Sequence, residues 1–171
     1  MEDLKEIQTL LSRDQTCQKI RRMAFQILEE NFDDKTIVIA GINGEGFQLA
    51  EALYKELQNI AQKDLYLAKI ILDKKAEKQP DINIECEIDT FKNKTVVLVD
   101  DVLNTGKTLA FSLRPFLSIP LKKLKVAVLV NRDYLQYPVR ADYIGYSLST
   151  TLKDHVKVVW RGSNEDGVYL Y

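Results

Sequence analysis

The fold of this chain is decided by the stretch Val96-Val97-Leu98-Val99-Asp100-Asp101-Val102-Leu103-Asn104-Thr105-Gly106-Lys107-Thr108-Leu109. The four apolar residues that begin it are typical of a parallel strand buried on both faces. Two aspartates follow where such a strand should emerge at its carboxyl end, the edge at which open α/β sheets bind ligands. The turn Thr105-Gly106-Lys107-Thr108 opens a segment with helical spacing, so backbone N–H groups, hydroxyls and an ammonium converge there. The stretch therefore predicts an α/β sheet with a phosphate site behind this strand.

The glycine turn differs from the P-loop of nucleoside triphosphate-binding proteins. A P-loop has a glycine five positions before the one that precedes Lys107, and Asp101 stands there instead. Adjacent carboxylates can accept hydrogen bonds from a vicinal diol, so Asp100 and Asp101 favour a phosphorylated sugar as the ligand. An ordinary strand-to-helix connection with an aspartate cap is the alternative interpretation.

A second strand, glycine loop and helix occur earlier in the chain. The apolar run Thr36–Ala40 leads into Gly41-Ile42-Asn43-Gly44-Glu45-Gly46, and apolar residues with helical spacing follow from Leu49. This order is again typical of phosphate binding. A dinucleotide fingerprint would need glycine or alanine at Leu49, which makes NAD a weak alternative. Glycines that only allow tight turns explain the loop equally well.

Composition limits the class of protein. The 171 residues are 46% hydrophobic and 29% charged, which predicts one domain spanning residues 1–171. A net charge of −1 and a pI near 5.9 predict no nucleic-acid partner. No apolar run is long enough for a membrane span, and the N-terminus does not resemble a signal peptide, so we expect a cytoplasmic protein. Cys17 and Cys86 have no metal-binding spacing and are interpreted as reduced packing residues.

Periodicity predicts the remaining elements. Ser12 or Asp14 should cap an amphipathic helix over residues 14–31, and Pro115 should kink or stop the helix after the central stretch. His155 has no local partner and is interpreted as surface or structural. The charged segment 73–80 is either a mobile lid or a plain hairpin tip. Further strands are expected at 65–72, 81–88, 125–130, 143–148, 156–160 and 168–171.

The chain resembles the type I phosphoribosyltransferases, whose phosphoribosyl pyrophosphate (PRPP) signature has four apolar residues, two acids and a Thr-Gly-Lys/Arg-Thr turn. Within that family it is most similar to the bacterial pyrimidine operon attenuators that double as uracil phosphoribosyltransferases. The similarity runs from about residue 11 to about residue 160. It is carried by Leu11–Gln15, Ile20–Ala24, Ile27–Asn31, Leu98–Leu103, Leu129–Arg132 and Pro138–Gly145.

The resemblance implies a mainly parallel five-stranded sheet flanked by helices, with a small hood built from both chain ends. It also implies transfer of the phosphoribosyl group to a nucleobase, with uracil as the acceptor, Mg²⁺ as cofactor and a homo-oligomer, dimer or tetramer. The two aspartates would be the catalytic residues beneath the ribose, and the metal would be held mainly through PRPP with these carboxylates as candidate ligands. The substrate-binding residues would be Asn104, Thr105, Gly106, Lys107 and Thr108 at the 5-phosphate, Asn43, Gly44, Glu45 and Gly46 at the pyrophosphate, and Arg132 with segment 149–154 beside the base.

Two positions depart from the family pattern. Glu45 stands where the attenuators have the arginine of Thr-Arg-Gly, and Asp73-Lys74-Lys75 replaces Tyr-Arg-Asp-Asp in the mobile loop. Lysines of that loop could supply the missing positive charge. A regulatory protein that binds PRPP or a nucleotide with weak or no turnover is therefore the first alternative. A hypoxanthine/guanine enzyme is the second, disfavoured because the C-terminal part lacks the Asp-Tyr and arginine-bearing tail of those enzymes.

Overall fold

A computed structural model describes residues 7–78, 81–151 and 154–171 of the chain. Nine strands and three α-helices are found in these residues, with 3-10 turns at Ile88–Phe91 and Arg114–Ser118. No helix among them is long and apolar enough to cross a membrane. In chain order the elements are β1 (Gln8–Leu11), α1 (Arg13–Glu30), β2 (Thr36–Ile42), α2 (Glu45–Ile60), β3 (Asp64–Ile71), β4 (Asn83–Ile84), β5 (Thr95–Leu103), α3 (Lys107–Ser112), β6 (Lys123–Asn131), β7 (Tyr143–Ser147), β8 (Val156–Val159) and β9 (Gly167–Leu170).

The central sheet has the order β4-β3-β2-β5-β6-β7. Five of these strands are parallel, and β4 adds two antiparallel residues at one edge. The chain crosses from β2 to β3 on one side and later returns to β5 on the other side of β2. The direction of winding therefore reverses between β2 and β5, and a crevice forms at such a reversal. The predicted α/β fold class with a mainly parallel sheet is confirmed.

The core lies on both faces of this sheet, as the unbroken apolar strands predicted. Val97 and Val99 of β5 pack with α1 and α2 on one face. Val96 and Leu98 pack on the other face with α3 and the two 3-10 turns. Neighbouring residues of β5 point to opposite faces of the sheet, and both faces are covered, so all four side chains are completely buried.

The hood is a three-stranded antiparallel sheet with the order β1-β9-β8. Gln8 pairs with Leu170, and Val158 pairs with Val168. The His155 backbone extends this pairing, since its N–H donates to the Tyr171 carbonyl and its carbonyl accepts from the Tyr171 N–H. The residue is exposed, so its interpretation as a surface residue is confirmed. The two ends of the described chain thus form one small layer beside the main sheet.

Helix α1 begins one residue earlier than predicted and has a complete capping box. The Ser12 side chain accepts a hydrogen bond from the Gln15 backbone, and the Gln15 side chain accepts one from the Ser12 backbone. The packing role predicted for Cys17 is wrong, because this residue is exposed while Thr16 is buried beside it. Thr16 satisfies its hydroxyl by donating to the Ser12 carbonyl, 2.8 Å away, so a polar residue serves the buried face.

The strand predicted over residues 81–88 is wrong except for Asn83–Ile84, which alone pair with β3. The alternation was nevertheless informative, because Ile82, Ile84, Cys86 and Ile88 all pack against the core. Beyond the short pairing with β3 at residues 83–85, the alternation in this segment comes from side-chain packing. Pro115 behaves as predicted, since α3 ends at Ser112 and the following 3-10 turn has a proline in its first turn.

A buried polar cluster closes the amino end of the sheet, opposite the predicted ligand edge. The Asp34 side chain is 1% exposed and pairs with Lys122 and Lys123. It also accepts a 2.7 Å hydrogen bond from the Thr95 hydroxyl at the start of β5. Burial alone would raise the pKa of Asp34, but these three partners lower it below its ordinary value. The cluster ties α1, β5 and β6 together.

Candidate functional site

The acid pair lies at the point where the sheet reverses its winding. Strand β2 pairs with β5 only as far as Gly41 opposite Val99. Asp100 is therefore the first residue of β5 without β2 beside it. The prediction that the aspartates end the strand is wrong, because β5 continues to Leu103 and keeps its pairing with β6. The carboxylates thus sit on the flank of a supported strand, which positions them more rigidly than a loop would.

Asp100 is almost completely buried, at 4% exposure. Burial and the neighbouring Asp101 raise its pKa to about 7, and the ammonium of Lys74 opposes this rise. Lys74 Nζ lies 2.9 Å from Asp100 Oδ1 and 3.9 Å from an oxygen of Asp101. The Asp101 backbone N–H also donates to Asp100 Oδ1, at 3.1 Å. Burial and the neighbouring acid therefore oppose ionisation of this carboxyl, whereas the Lys74 ammonium favours it.

The glycine turn follows directly and forms a small concavity of about 40 Å³ with Asp100. Gly106 has a φ of +85°, a left-handed conformation that glycine adopts without strain. The Thr105 carbonyl accepts hydrogen bonds from Gln136 and Tyr137, so the loop after β6 holds the turn in place. The Thr105 hydroxyl accepts from the Lys107 backbone at 3.3 Å, which leaves its own proton to donate. The structure thus brings Asp100 and residues 104–108 together, as the sequence predicted.

The loop after β2 meets the acid pair from the other side of the crevice. A methyl group on Gly46 would lie 2.6 Å from Asp100 Oδ1, so only glycine allows this approach. Gly44 has a φ of +86° and precedes α2, whose first residue is Glu45. The Asn43 side-chain oxygen accepts from the Leu72 backbone, which ties this loop to the end of β3. The four predicted residues therefore border the site, with Asn43 engaged in a structural contact.

Arg132, which was predicted to lie beside the base, is held by hydrogen bonds within the protein. The residue as a whole is buried, at 6% exposure. Three of its nitrogens donate within the protein: Nη1 to Asn104 Oδ1 at 3.1 Å, Nε to the Thr150 hydroxyl at 2.8 Å and Nη2 to the Thr151 carbonyl at 3.0 Å. Arg132 therefore clamps the phosphate-side turn to the segment that follows β7. Residues 152 and 153 of the predicted base-side segment 149–154 lie outside the described residues.

The bridge from Lys74 was only partly anticipated from the sequence, as a source of positive charge. Segment 73–78 has no periodicity, and nothing in its residues indicates which acids it contacts. A second contact joins it to the site, because Lys107 Nζ donates to the Ala76 carbonyl at 3.1 Å. The segment lies across the turn and the acid pair, and this position depends on contacts between residues 26 to 31 positions apart.

The donor set suits a magnesium ion that arrives with a phosphate ligand. Among the described residues, no group of three or more His, Cys, Asp or Glu side chains is placed to hold a metal. Asp100 and Asp101 supply two carboxylates, and Mg²⁺ in proteins is commonly held by one or two carboxylates plus substrate phosphates and water. These two residues would hold the ion, and the ligand would supply the other oxygens.

A larger groove of about 450 Å³ lies between α1, α2 and the loop at Trp160. Cys17 lines it, which is where the structure places this exposed thiol. The groove contains neither the acid pair nor the glycine turn, so the chemistry indicated by the sequence is concentrated at the smaller concavity.

Comparisons with known proteins agree with this geometry. The profile of the family described as "Phosphoribosyl transferase domain" matches residues 6–162. The Bifunctional protein PyrR of Haemophilus ducreyi is 30% identical over 169 residues, covering 93% of this chain and 92% of the relative. The protein of the same name from Streptococcus gordonii is 32% identical over 145 residues, covering 81% and 82%.

Solved structures share the fold. The hypoxanthine phosphoribosyltransferase of Trypanosoma cruzi is 14% identical and covers 95% of both chains with a TM-score of 0.77. A hypoxanthine-guanine phosphoribosyltransferase of Bacillus anthracis is 24% identical, covers 84% of both chains and has a TM-score of 0.70. At these identities the likeness extends to the fold alone.

Proposed function

This chain belongs to the phosphoribosyl transferase domain family, and from that premise we propose that it transfers the 5-phosphoribosyl group of PRPP to uracil, releasing pyrophosphate. The observation that carries the proposal is the concavity that Asp100 forms with the turn at residues 104–108, with Asp101 next to Asp100 in the same strand. The choice of uracil comes from the resemblance described above, and the relatives named Bifunctional protein PyrR, 30% and 32% identical to this chain, support that resemblance.

In the proposed reaction the nucleobase nitrogen bonds to the anomeric carbon of the ribose as the bond to pyrophosphate breaks, and the proton of that nitrogen passes to water or to the departing pyrophosphate. The ring develops positive charge, and carboxylates below it stabilise that charge. Asp100 and Asp101 also accept hydrogen bonds from the ribose diol, while the backbone and hydroxyl donors of residues 105–108 bind the 5-phosphate. Magnesium, when bound, neutralises charge on the leaving pyrophosphate. The chain needs no side-chain nucleophile for this displacement.

Turnover is tested by measuring pyrophosphate release from PRPP with uracil, hypoxanthine, guanine or orotate, with and without Mg²⁺. We expect release with uracil that depends on Mg²⁺. Release only with hypoxanthine or guanine would show that the acceptor is a purine base and not uracil. No release with any base, together with tight PRPP binding, would favour the regulatory alternative.

The regulatory alternative is supported by one feature of the site. Glu45 adds a third carboxylate beside the acid pair, and its negative charge is one cause of the raised pKa of Lys74. Such a site binds ribose and the 5-phosphate but opposes the pyrophosphate. A protein that senses PRPP or a nucleotide would retain the first property without needing turnover.

Ligand placement is tested separately by calorimetry. A hydrogen bond to a charged group contributes roughly 1.5 to 3 kcal/mol, so Thr105→Ala should weaken nucleoside monophosphate binding about tenfold or more. Gly106→Val should prevent binding, because it puts a β-branched residue at a φ of +85° against Tyr137. Unchanged affinity in both variants would place the ligand elsewhere.

The proposal includes the remaining expectations: a homo-oligomer, dimer or tetramer, with PRPP and a nucleobase as ligands, from the family resemblance, and a cytoplasmic protein without a nucleic-acid partner, from the composition. Size-exclusion chromatography with light scattering measures the oligomeric state directly. A monomer at all concentrations would contradict this part of the proposal without affecting the assignment of the site.

A further inference from the structure

The segment 73–78, here called the strap, is attached to the site by two contacts. Lys74 bridges Asp100 and Asp101, at 2.9 and 3.9 Å. Lys107 donates to the Ala76 carbonyl at 3.1 Å. The strap is otherwise a compact turn, in which Asp73 accepts hydrogen bonds from the backbone N–H groups of Lys75 and Ala76. It is mostly exposed, so little apolar burial holds it down.

Both contacts use groups that a phosphorylated ribose would need. The carboxylates paired with Lys74 are the acceptors for the diol, and Lys107 begins the helix behind the phosphate turn. Asp100 is nearly buried and has little room for a second cationic or hydrogen-bonding partner on the oxygen that Lys74 occupies. The strap and the ribose therefore compete for the same atoms.

The charge of the site explains why a strap lysine binds there. Asp100, Asp101 and Glu45 all raise the pKa of Lys74, although its partial burial works against this. Without a cation, carboxylates this close would repel one another in a poorly hydrated crevice. The Lys74 ammonium thus supplies the positive charge that a ligand-bound metal would bring.

We propose that the strap is autoinhibitory: Lys74 occupies the ribose position of the resting protein, and a sugar phosphate must displace it to bind. This inference rests on the proposed function, because it uses the same acid pair and turn. It predicts that a ribose ligand opens the strap, whereas an ordinary lid would close over its ligand and become protected.

The test is hydrogen–deuterium exchange of the amides at Lys75 and Ala76, measured on the full chain with and without ribose 5-phosphate. This ligand has the diol and the phosphate but no pyrophosphate to attract the strap lysines again. We expect exchange in the strap to become several-fold faster at saturating ligand. Slower or unchanged exchange, with binding shown by calorimetry, would overturn the proposal.

Lys74→Met is the matched variant, since it keeps the length of the side chain and removes its charge. Without ligand it should exchange in the strap as fast as the ligand-bound wild type, and it should bind ribose 5-phosphate about three- to tenfold more tightly. Lys75→Met makes the same charge change one residue away and should alter neither property. Equal behaviour of the two variants would also overturn the proposal.

Failure of the proposed function has a different signature. If ribose 5-phosphate, PRPP and nucleoside monophosphates all fail to bind, the site assignment is wrong. The ligand-free comparison of Lys74→Met with Lys75→Met still decides whether Lys74 holds the strap. If the ligands bind and the two variants differ as expected, both the assignment and the strap are supported.

Discussion

At the scale of single residues, Glu45 is the feature that distinguishes this site from a simple phosphate cradle. It begins α2, so the backbone N–H groups of the first turn favour an anion while its own side chain opposes one. The acid pair lies across the same narrow crevice, where Gly46 contacts Asp100. Charge at position 45 should therefore control which part of a phosphorylated ligand binds well.

Replacing Glu45 with Arg should raise the affinity for PRPP more than the affinity for a nucleoside monophosphate. Two like charges about 4 Å apart at an effective dielectric near 20 repel by about 4 kcal/mol before salt and Mg²⁺ reduce the figure, and a quarter of that is about fivefold in affinity. Calorimetry with both ligands measures the difference. Glu56→Arg, some 16 Å further along α2, is the control for the general field. An equal rise in affinity for both ligands would show that Glu45 acts only through the long-range electrostatic field.

Gly46→Ala tests the close approach of the first turn of α2 to Asp100 in β5. Its added methyl group would lie 2.6 Å from Asp100 Oδ1, so the carboxylate or the helix must move. We expect a stability loss of about 1 to 3 kcal/mol and clearly weaker binding of ribose 5-phosphate. Gly162→Ala is the control, because it adds strain at a φ of +78° with no neighbouring atom to contact. If Gly46→Ala binds the sugar phosphate like wild type, the predicted position of the ribose is wrong.

At the scale of elements, Arg132 joins three pieces of chain that the sequence separates. It follows β6, bonds to Asn104 after β5 and holds Thr150 and Thr151 after β7. The planar guanidinium reaches all three acceptors at once, which an ammonium cannot do. The clamp therefore connects the phosphate side of the crevice to the side where a base would lie.

Arg132→Lys should loosen both sides of the crevice while keeping the charge. Losing hydrogen bonds from a buried charged group costs roughly 1.5 to 3 kcal/mol, so the melting temperature should fall and nucleotide binding should weaken. Thermal unfolding and calorimetry measure the two effects. Arg140→Lys makes the same change at an exposed position and should be neutral. Full retention of stability by Arg132→Lys would show that the clamp is not required.

At the scale of the whole molecule, the two ends of the central sheet shift the pKa of a buried aspartate in opposite directions. The carboxyl end holds a carboxylate whose pKa is raised to about 7, while the amino end holds Asp34 with a lowered pKa. Asp34 is paired and hydrogen-bonded, whereas Asp100 is crowded by another acid. At the amino end the partners of Asp34 outweigh the effect of its burial, whereas at the carboxyl end burial and Asp101 outweigh the ion pair of Asp100 with Lys74.

Asp34→Asn should destabilise the protein at neutral pH by on the order of 2 kcal/mol, since a buried charged hydrogen bond is lost. The folded-state pKa lies below the ordinary value of 3.8, so the unfolded chain binds this proton more readily. The stabilisation is therefore complete above pH 3.8 and is lost as the pH falls through the folded-state pKa.

Denaturant unfolding between pH 2 and pH 7 measures this dependence. The difference between wild type and Asp34→Asn should shrink below pH 3.8. Asp33→Asn is the matched control, because the Asp33 side chain is 59% exposed. A difference that persists unchanged at pH 2 would show that Asp34 stabilises the fold by packing and not by charge.

The charge distribution also predicts that the protein does not bind RNA. The net charge is −1, and affinity for RNA depends on cationic contacts to phosphates. The Arg22 guanidinium on α1 donates hydrogen bonds to the carbonyls of Ile144 and Gly145 in β7, so this cation is already engaged within the protein. Filter binding to a structured RNA hairpin at physiological salt should detect no complex. Micromolar binding that disappears at high salt would overturn this prediction.

Local sequence was sufficient for the strand, the glycine turn and the family. A buried parallel strand needs only a continuous apolar run, and Val96–Val99 provides one. The helix cap at Ser12 and the stop at Pro115 are equally local, because each depends on residues within one or two turns. Local sequence also predicted that Asp100 and residues 104–108 lie together, because they are close neighbours in the chain.

Tertiary structure alone decided what contacts this site. Lys74 reaches Asp100 across 26 positions and Arg132 reaches Asn104 across 28, and neither distance leaves a periodic pattern in the sequence. Alternation at residues 82–88 predicted a strand over the whole segment, yet only Asn83–Ile84 form one and side-chain packing accounts for the rest of the alternation. Sequence patterns determine which face of an element is buried, because burial follows local periodicity. Which charged groups meet depends on how distant loops converge at the reversal of the sheet, and only the folded chain specifies that.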